Sequence, residues 1–443
     1  MSSKISTFTD LRTNAKLPVG LLATGTFMEY FDLMLYVHMG VLLNELFFNA
    51  TDPQGASLLS AFGITITFLF RPLGAWVFGK IGDRYGRKIV LWITSAIMAI
   101  ACMVIAGLPT YAQIGVTASI VMTLCRIAQS ISSVGEITSC DLYFMETTRP
   151  PIQYPLSGIT DIFGALGGTA ALGVASLVTL HGFNWRWAFI VGCFIGVLGL
   201  YIRKALLETT DFSNMVAQIK LIQEKCNLSY KEAKKIVKKE LEKNNPTKKV
   251  LLALFVIQCV YPLYYYFAYI YCGDLLKSLF NYSSAEVIFN NFILSFACLF
   301  RGIAVYWMSY YINPLKILKV ELSISLMVIL VSLYVFNNLT EPYHLIIVQY
   351  LIIIFAIHGM PAFPIFYKYI PILTRFTNAG VAYSLGRAVM FGITSFGLIG
   401  LIEYFGNWGI FGLFGLTLLS YTFALFYFDK LEKESNKKIK TKW

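Results

Sequence analysis

The sequence predicts an all-α membrane protein in which twelve transmembrane helices form two six-helix bundles. Hydrophobic residues make up 57% of its 443 residues and charged residues only 14%, whereas soluble domains carry about 25% charged residues. Its long polar stretch, 207–248, divides the apolar runs into six and six. A membrane-spanning helix needs about 20 apolar residues, which predicts spans at 18–43, 57–79, 89–108, 112–140, 155–180, 187–206, 249–277, 284–307, 320–337, 341–367, 378–403 and 409–428.

Four regions follow from these spans. The predicted regions are an N-terminal bundle at 1–206, a basic cytoplasmic linker at 207–248, a C-terminal bundle at 249–428 and a disordered cytoplasmic tail at 429–443. Lysine and arginine are concentrated in alternate loops, which predicts that both termini face the cytoplasm of an inner or plasma membrane. This topology explains the net charge of +12, so no nucleic-acid partner is predicted.

The linker 207–248 has two interpretations. Its apolar residues recur at near-helical spacing among many lysines, which is typical of helices that lie on a membrane surface and attract anionic lipid. A solvated linker that is positive only because it faces the cytoplasm has the same composition. Both interpretations remain open from the sequence.

The stretch 79–88 is the polar hinge between the second and third predicted spans. Gly79 and Gly82 allow two helix ends to approach closely, and Gly86 suits a positive φ. Asp83 is an anion that can bind a helix N-terminus or pair with an arginine. The predicted gating residues are therefore Gly79, Asp83, Arg84, Gly86 and Arg87.

Charged residues occur inside the predicted first and fourth spans. Glu29 and Asp32 lie one turn apart on one helical face, and a buried arginine such as Arg126 needs a partner, so we predict contact between Arg126 and these carboxyls. The carboxyls either take up and release a proton or form a permanent ion pair. The predicted proton-coupling residues are Glu29, Asp32, Arg126 and Glu136, and Tyr36 and Gln129 on the same polar stripes are predicted to bind substrate.

The seventh predicted span is rich in tyrosine. Tyr261, Tyr264 and Tyr271 are predicted to share one face, and Gln258, Pro262, Tyr265 and Tyr269 another. Such rings either attract a substrate ammonium group or form an interfacial belt. We take Tyr265 and Tyr269 as substrate-binding candidates. Arg71, Asp161, Arg301 and Arg387 are further charges inside spans, and Arg301 and Arg387 are candidates for binding a substrate carboxylate because few carboxylates lie near them in the sequence.

The sequence shows no catalytic or nucleotide-binding pattern. Its four histidines are scattered, and its eight cysteines include no C-x-x-C pair. No glycine-rich nucleotide loop is present. We therefore predict no enzyme activity, no metal, no cofactor and no ATP-driven transport.

Several motifs resemble those of one transporter family. The hinge matches G-x-x-x-D-R-x-G-R-K, which resembles the loop between the second and third helices of the major facilitator superfamily. The first half is similar to the metabolite:proton symporter subfamily, which includes proline/betaine transporters. The matching segments are Gly25–Asp32, Arg71–Gly74, Arg126-x-x-Gln129, Gly135-Glu136, Trp185-Arg186 and Glu208-Thr209.

This resemblance implies the major facilitator fold and a proton-coupled symporter that works by alternating access. It implies that Asp83 latches the cytoplasmic side against the eleventh helix near Asn378. The aromatic seventh span favours proline or glycine betaine as the solute. Di- or tricarboxylates are the alternative, and a channel is a more remote one. Near 308–320, where the family repeats the hinge motif, the D-R-x-G-R core is absent.

Overall fold

The computed structural model describes residues 26–28, 30–32, 34–35, 43, 46–48, 68–181, 184–203, 208–243 and 247–440. All regular structure in these ranges is helical. The longer helices are α1 (Arg71–Tyr85), α2 (Arg87–Gly107), α3 (Val116–Thr147), α4 (Gln153–His181), α5 (Arg186–Arg203), α6 (Thr210–Cys226), α7 (Tyr230–Lys243), α8 (Thr247–Tyr265), α9 (Cys272–Phe280), α10 (Ser284–Tyr311), α11 (Pro314–Phe336), α12 (Pro342–Ile354), α13 (Ile372–Gly392), α14 (Leu398–Phe405) and α15 (Asn407–Lys440).

Shorter elements join some of these helices. A π-helical segment, Tyr266–Tyr271, connects α8 to α9, and a second one, Ile393–Gly397, connects α13 to α14. The chain between α12 and α13 contains a 3₁₀ turn, Met360–Ala362, and the short helix Phe363–Tyr367. The seventh predicted span is therefore a helix with a π-helical insertion, which the hydropathy pattern did not indicate.

Six helices in the described ranges are long and apolar enough to cross a bilayer. They are Arg87–Gly107, Gln153–Leu177, Lys248–Phe280, Ser284–Tyr311, Pro314–Phe336 and Asn407–Lys437. Large apolar side chains such as Phe194, Leu330 and Phe423 are 68–71% exposed, as expected for faces that contact lipid. Helices α1, α3 and α13 are less apolar because they carry buried charges, including Arg71, Arg126 and Arg387.

Two helix pairs form the most extensive contacts between the two halves in the described part of the chain. Within the first half α2 packs against α3 and α5, and within the second half α8 packs against α13 and α15. Across the halves α4 packs along α10, and α1 packs along α13. We call the surface where these two pairs meet the seam.

The linker folds back onto the protein. Its helices α6 and α7 contact each other through Met215, Ile219, Ala233 and Val237, and Leu373 of α13 completes this cluster. The linker is helical, as the first of the two interpretations expects. The residues of this cluster are buried against the protein, whereas Leu221 and Ile236 of the same helices are 50% and 47% exposed.

The prediction of a disordered tail is wrong for residues 429–440, which continue helix α15. Asp429 lies 2.9 Å from Lys319 of α11 and 2.9 Å from Lys433. Glu432 accepts a hydrogen bond from Lys368 at 2.8 Å. Opposite charges on neighbouring elements therefore fix the helical extension, which composition alone could not indicate.

Candidate functional site

A central cavity of about 140 Å³ lies at the seam. Helices α1 and α4 of the first half and α8, α10 and α13 of the second half contribute to its wall. The charged and aromatic residues important for its chemistry are Arg71, Asp161, Tyr261, Tyr265, Tyr269 and Arg387. A cavity bounded by both halves changes shape when the halves move against each other.

Three tyrosines of the α8 segment form one wall of this cavity. Tyr265 and Tyr269 stack with ring centroids 4.9 Å apart, and Tyr261 lines the cavity beside them. Tyr264 instead hydrogen-bonds Ser325. The predicted division of faces is therefore wrong for Tyr261. It shares the face of Tyr265, four residues further along the helix, and not the face of Tyr264, three residues further along.

Arg387 presents its charge at the cavity wall. Its guanidinium lies 3.6 Å from the centroid of the Tyr383 ring and donates to Gln258 Oε1 at 3.2 Å. The planar group therefore stacks on one ring and retains further N–H donors for other partners. This geometry is consistent with the predicted role of Arg387 toward a carboxylate.

Arg301 lies behind the cavity and is engaged by protein groups. It pairs with Glu321 of α11 at 2.5 Å and donates to the Ala356 carbonyl at 2.6 Å and to the His358 ring. Sequence reasoning missed Glu321 because it lies twenty residues away on the next helix. Of the six predicted substrate-binding residues, Tyr265, Tyr269 and Arg387 line the described cavity, whereas Arg301 and Gln129 do not.

The predicted contact between the first and fourth spans is confirmed for Asp32. Arg126 Nη1 lies 3.1 Å from Asp32 Oδ2 and donates to Gln129 Oε1 at 2.8 Å. Both charged side chains are only 4% exposed. Glu29 and Tyr36 lie outside the described residues.

Glu136 belongs to a separate polar cluster. It accepts hydrogen bonds from Thr94 at 2.9 Å and from Ser95 at 3.4 Å. Ten residues of helix separate it from Arg126, a rise of about 15 Å. Of the predicted proton-coupling residues that the structure describes, Asp32 and Arg126 therefore form a pair and Glu136 lies apart from them on α3.

Asp83 joins the hinge to α13 across the seam. Its carboxylate accepts hydrogen bonds from the backbone N–H groups of Phe376 at 3.1 Å and Thr377 at 3.0 Å, and from the Thr377 hydroxyl at 2.6 Å. Burial raises the pKa of the Asp83 carboxyl, and these hydrogen bonds partly offset that effect. The predicted contact of Asp83 with this helix near Asn378 is confirmed. It lies about one turn after the start of α13 at Ile372.

Two hinge glycines permit this close approach. A Cβ at Gly79 would lie 2.6 Å from Thr377 Cα, and one at Gly82 would lie 2.7 Å from the Phe376 ring. Gly86 has a φ of +102°, which favours glycine. All three predictions for the hinge glycines are confirmed. Arg84 is exposed and packs on Tyr85.

A buried ion cluster lies beside the hinge. Glu146 of α3 pairs with Arg87 at 2.8 Å and with Arg375 of α13 at 3.3 Å. It also accepts from the Thr209 hydroxyl at 2.7 Å. One carboxylate thus connects the hinge, the linker and the second half of the chain.

A family model described as Major Facilitator Superfamily matches residues 22–398. The chain belongs to the Major Facilitator Superfamily. It is 34% identical over 221 residues to a proline/betaine transporter of Salmonella typhimurium, covering 47% of this chain and 44% of that protein. It is 35% identical over 212 residues to a putative proline/betaine transporter of Staphylococcus aureus, covering 46% and 45%. The chain thus matches slightly less than half the length of these relatives.

The fold agrees with solved major facilitator structures. The proton:xylose symporter XylE bound to 6-bromo-6-deoxy-D-glucose superposes with a TM-score of 0.71 at 14% identity. That superposition covers 93% of this chain and 94% of the symporter. At this identity the match supports the fold alone.

Sequence reasoning missed two acidic residues of this facilitator. The predicted fourth span ends at residue 140, which leaves Glu146 in a loop, whereas α3 continues to Thr147. The available signal is a carboxylate close to the end of an apolar span. Glu321 lies at the start of the predicted span 320–337, so a carboxylate inside a span is the signal that could have identified it.

Proposed function

We propose that this chain is a proton-coupled secondary transporter, not an enzyme, that carries a small carboxylate-bearing solute by alternating access. The observation that carries this proposal is the central cavity at the seam, with the hinge end of the seam joined by Asp83. Bundles at 1–206 and 249–428, with twelve spans, would rock around this cavity. We place the protein in the inner or plasma membrane with both termini in the cytoplasm.

The Asp32–Arg126 pair is the proposed proton-coupling site. A buried carboxylate paired with a guanidinium can exchange its ion pair for a proton when the arginine turns to another partner. Gln129 already accepts from the same Arg126 nitrogen and would keep that nitrogen hydrogen-bonded during the exchange. Glu29 is proposed to assist from the same face of the first span.

Proline or glycine betaine is the proposed solute. Relatives at 34–35% identity carry the name proline/betaine transporter, and the cavity supplies complementary chemistry. Arg387 offers hydrogen-bond donors for a carboxylate, and the rings of Tyr261, Tyr265 and Tyr269 attract an ammonium group. A cavity of about 140 Å³ suits a solute of this small size.

A di- or tricarboxylate is the second candidate. Arg71 lines the same cavity as Arg387, so two guanidinium groups face one space. Two carboxylates on one solute could each be bound by one arginine. Asp161 in the same wall opposes this candidate by charge repulsion.

Uptake into proteoliposomes tests the proposal. We expect saturable accumulation of labelled proline and glycine betaine when a proton gradient is imposed, and loss of accumulation when the gradient is dissipated. A dicarboxylate accumulated in their place would support the second candidate. Non-saturating flux that ignores the gradient would identify a channel and contradict the proposal.

A further inference from the structure

Asp161 is a cavity carboxylate that the proton-coupling site does not use. It lies on α4 of the first half, and its side chain is 22% exposed at the cavity wall. Tyr306 of α10 donates its hydroxyl to Asp161 Oδ2. A Cβ at Gly158 would overlap the Tyr306 ring, so this glycine allows the ring to lie directly against α4.

His358 faces Asp161 from the other side. Its Nε2 lies 3.8 Å from Asp161 Oδ2, while its Nδ1 contacts Arg301. A guanidinium only donates hydrogen bonds, so Nδ1 must accept and the neutral ring carries its proton on Nε2. The His358 N–H therefore points toward the Asp161 carboxylate.

Glu321 holds this histidine in place. It pairs with Arg301 at 2.5 Å and accepts from the His358 backbone N–H at 3.2 Å. The His358 ring that faces Asp161 is thus fixed from behind by an ion pair outside the cavity. This arrangement suits a carboxylate that stays charged and keeps one orientation.

Among the described residues, the cavity wall consequently presents one carboxylate, two guanidinium groups and six tyrosines, of which Tyr261, Tyr265 and Tyr269 come from one segment. Tyr261 lies next to this anion, since its ring centroid is 4.8 Å from that of His358. An ammonium group between a carboxylate and aromatic faces gains from both. A carboxylate on the same small molecule would then reach toward Arg387.

We propose that Asp161 binds the ammonium group of a zwitterionic solute and sets the preference for zwitterions over simple carboxylates. This proposal rests on the proposed function for the identity of the solute. It adds the residue that recognises the cationic end. It also explains why a solute with only carboxylates would be rejected.

Equilibrium binding to the purified protein tests the role of Asp161 without a proton gradient. Labelled glycine betaine is displaced by unlabelled betaine or by tert-butylacetate, its isostere with carbon in place of nitrogen. The wild type should prefer betaine by about tenfold or more, which is about 1.4 kcal/mol, because the Asp161 carboxylate attracts the charge of the quaternary ammonium, which has no N–H to donate. Cyclopentanecarboxylate serves as the matching isostere of proline.

Variants separate charge from structure. Asp161→Asn should bring the preference for betaine close to parity, and Asp161→Glu should retain the preference with weaker binding. Asp141→Asn is the matched control, because Asp141 is held by Thr160 at 2.9 Å and is not part of the cavity wall. Thermal unfolding verifies that each variant is folded.

The outcomes separate this inference from the proposed function. A folded Asp161→Asn protein that keeps the wild-type preference overturns the inference, as does a wild type that binds betaine and its isostere equally. Loss of the preference in Asp161→Asn but not in Asp141→Asn supports it. Binding that follows this pattern without gradient-driven uptake contradicts proton coupling and leaves the assignment of Asp161 standing.

Discussion

At the scale of single residues, the chemistry depends on charges held by partners inside the membrane-spanning part. Asp32 and Arg126 illustrate this, because each is 4% exposed and contacts the other. A charge so deeply buried is tolerated only when it is paired. Any step that protonates Asp32 must therefore also give Arg126 a new partner.

Replacing Asp32 by Asn should uncouple transport from protons. The amide cannot take up a proton, so Asp32→Asn should lose gradient-driven accumulation and retain exchange of labelled for unlabelled solute. The buried Arg126 charge should also lower the free energy of unfolding by about 3–5 kcal/mol. Uptake and counterflow in proteoliposomes measure the first effect, and thermal unfolding measures the second.

The control for this variant is Asp274→Asn, since Asp274 is exposed on α9. It should accumulate solute as the wild type does. If Asp32→Asn still accumulates proline or betaine against its gradient, Asp32 is not the coupling group. Glu29→Gln then becomes the variant that decides the assignment.

At the scale of helices, the seam depends on how closely α1 can approach α13. Gly79 and Gly82 remove side chains from the contact, and Asp83 accepts three hydrogen bonds from two α13 residues. Such charge-assisted bonds contribute about 1.5–3 kcal/mol each. Breaking them should shift the equilibrium toward a state in which the hinge end is open.

Asp83→Asn should expose the seam. A cysteine introduced at Ala75, which is buried against α13, should then react with a thiol reagent about tenfold faster, because each 1.4 kcal/mol lost shifts an equilibrium about tenfold. The measurement requires Cys226→Ser, since Cys226 is exposed. The matched hinge control is Lys80→Gln, whose lysine packs on Trp76. Equal labelling rates for Asp83→Asn and the wild type would show that Asp83 does not hold the seam closed.

At the scale of the whole molecule, Glu146 connects three parts of the chain that are distant in sequence. It contacts Arg87 of the hinge, Thr209 at the start of the linker and Arg375 of α13. Arg87 and Glu146 have fully buried side chains. Removal of this carboxylate takes away the anion shared by Arg87 and Arg375, and Arg375 retains only the more distant Asp211 at 3.9 Å.

Glu146→Gln should therefore destabilise the folded protein by about 3–5 kcal/mol. Thermal unfolding in detergent measures this loss. The matched control is Asp429→Asn, because Asp429 pairs with partly exposed lysines and such pairs contribute about 0–1 kcal/mol. The double variant Glu146→Gln/Arg87→Gln should lose less than the sum of the single losses. Additive losses would indicate that the two residues do not stabilise each other.

The hydropathy of the sequence determined most of the helices, because a bilayer of fixed thickness demands apolar runs of similar length. The spacing of the hinge glycines and the single hinge carboxylate, Asp83, predicted the contacts between the hinge and α13. Close approach of two helices depends on small residues in the hinge itself. The Asp32–Arg126 contact was also predictable, because a buried arginine must find a carboxylate. Each of these inferences used only the residues of the segments concerned and no knowledge of how the whole bundle packs.

Only the tertiary structure decided which distant helices meet. It brought Glu321 to Arg301, Glu146 to Arg375, and Asp161 of the first half to Tyr306 and His358 of the second. It also separated Glu136 from Arg126, although both lie on one polar stripe. Hydropathy specifies which segments enter the bilayer, whereas partner choice depends on helix packing across the seam, and that packing has no counterpart in local sequence.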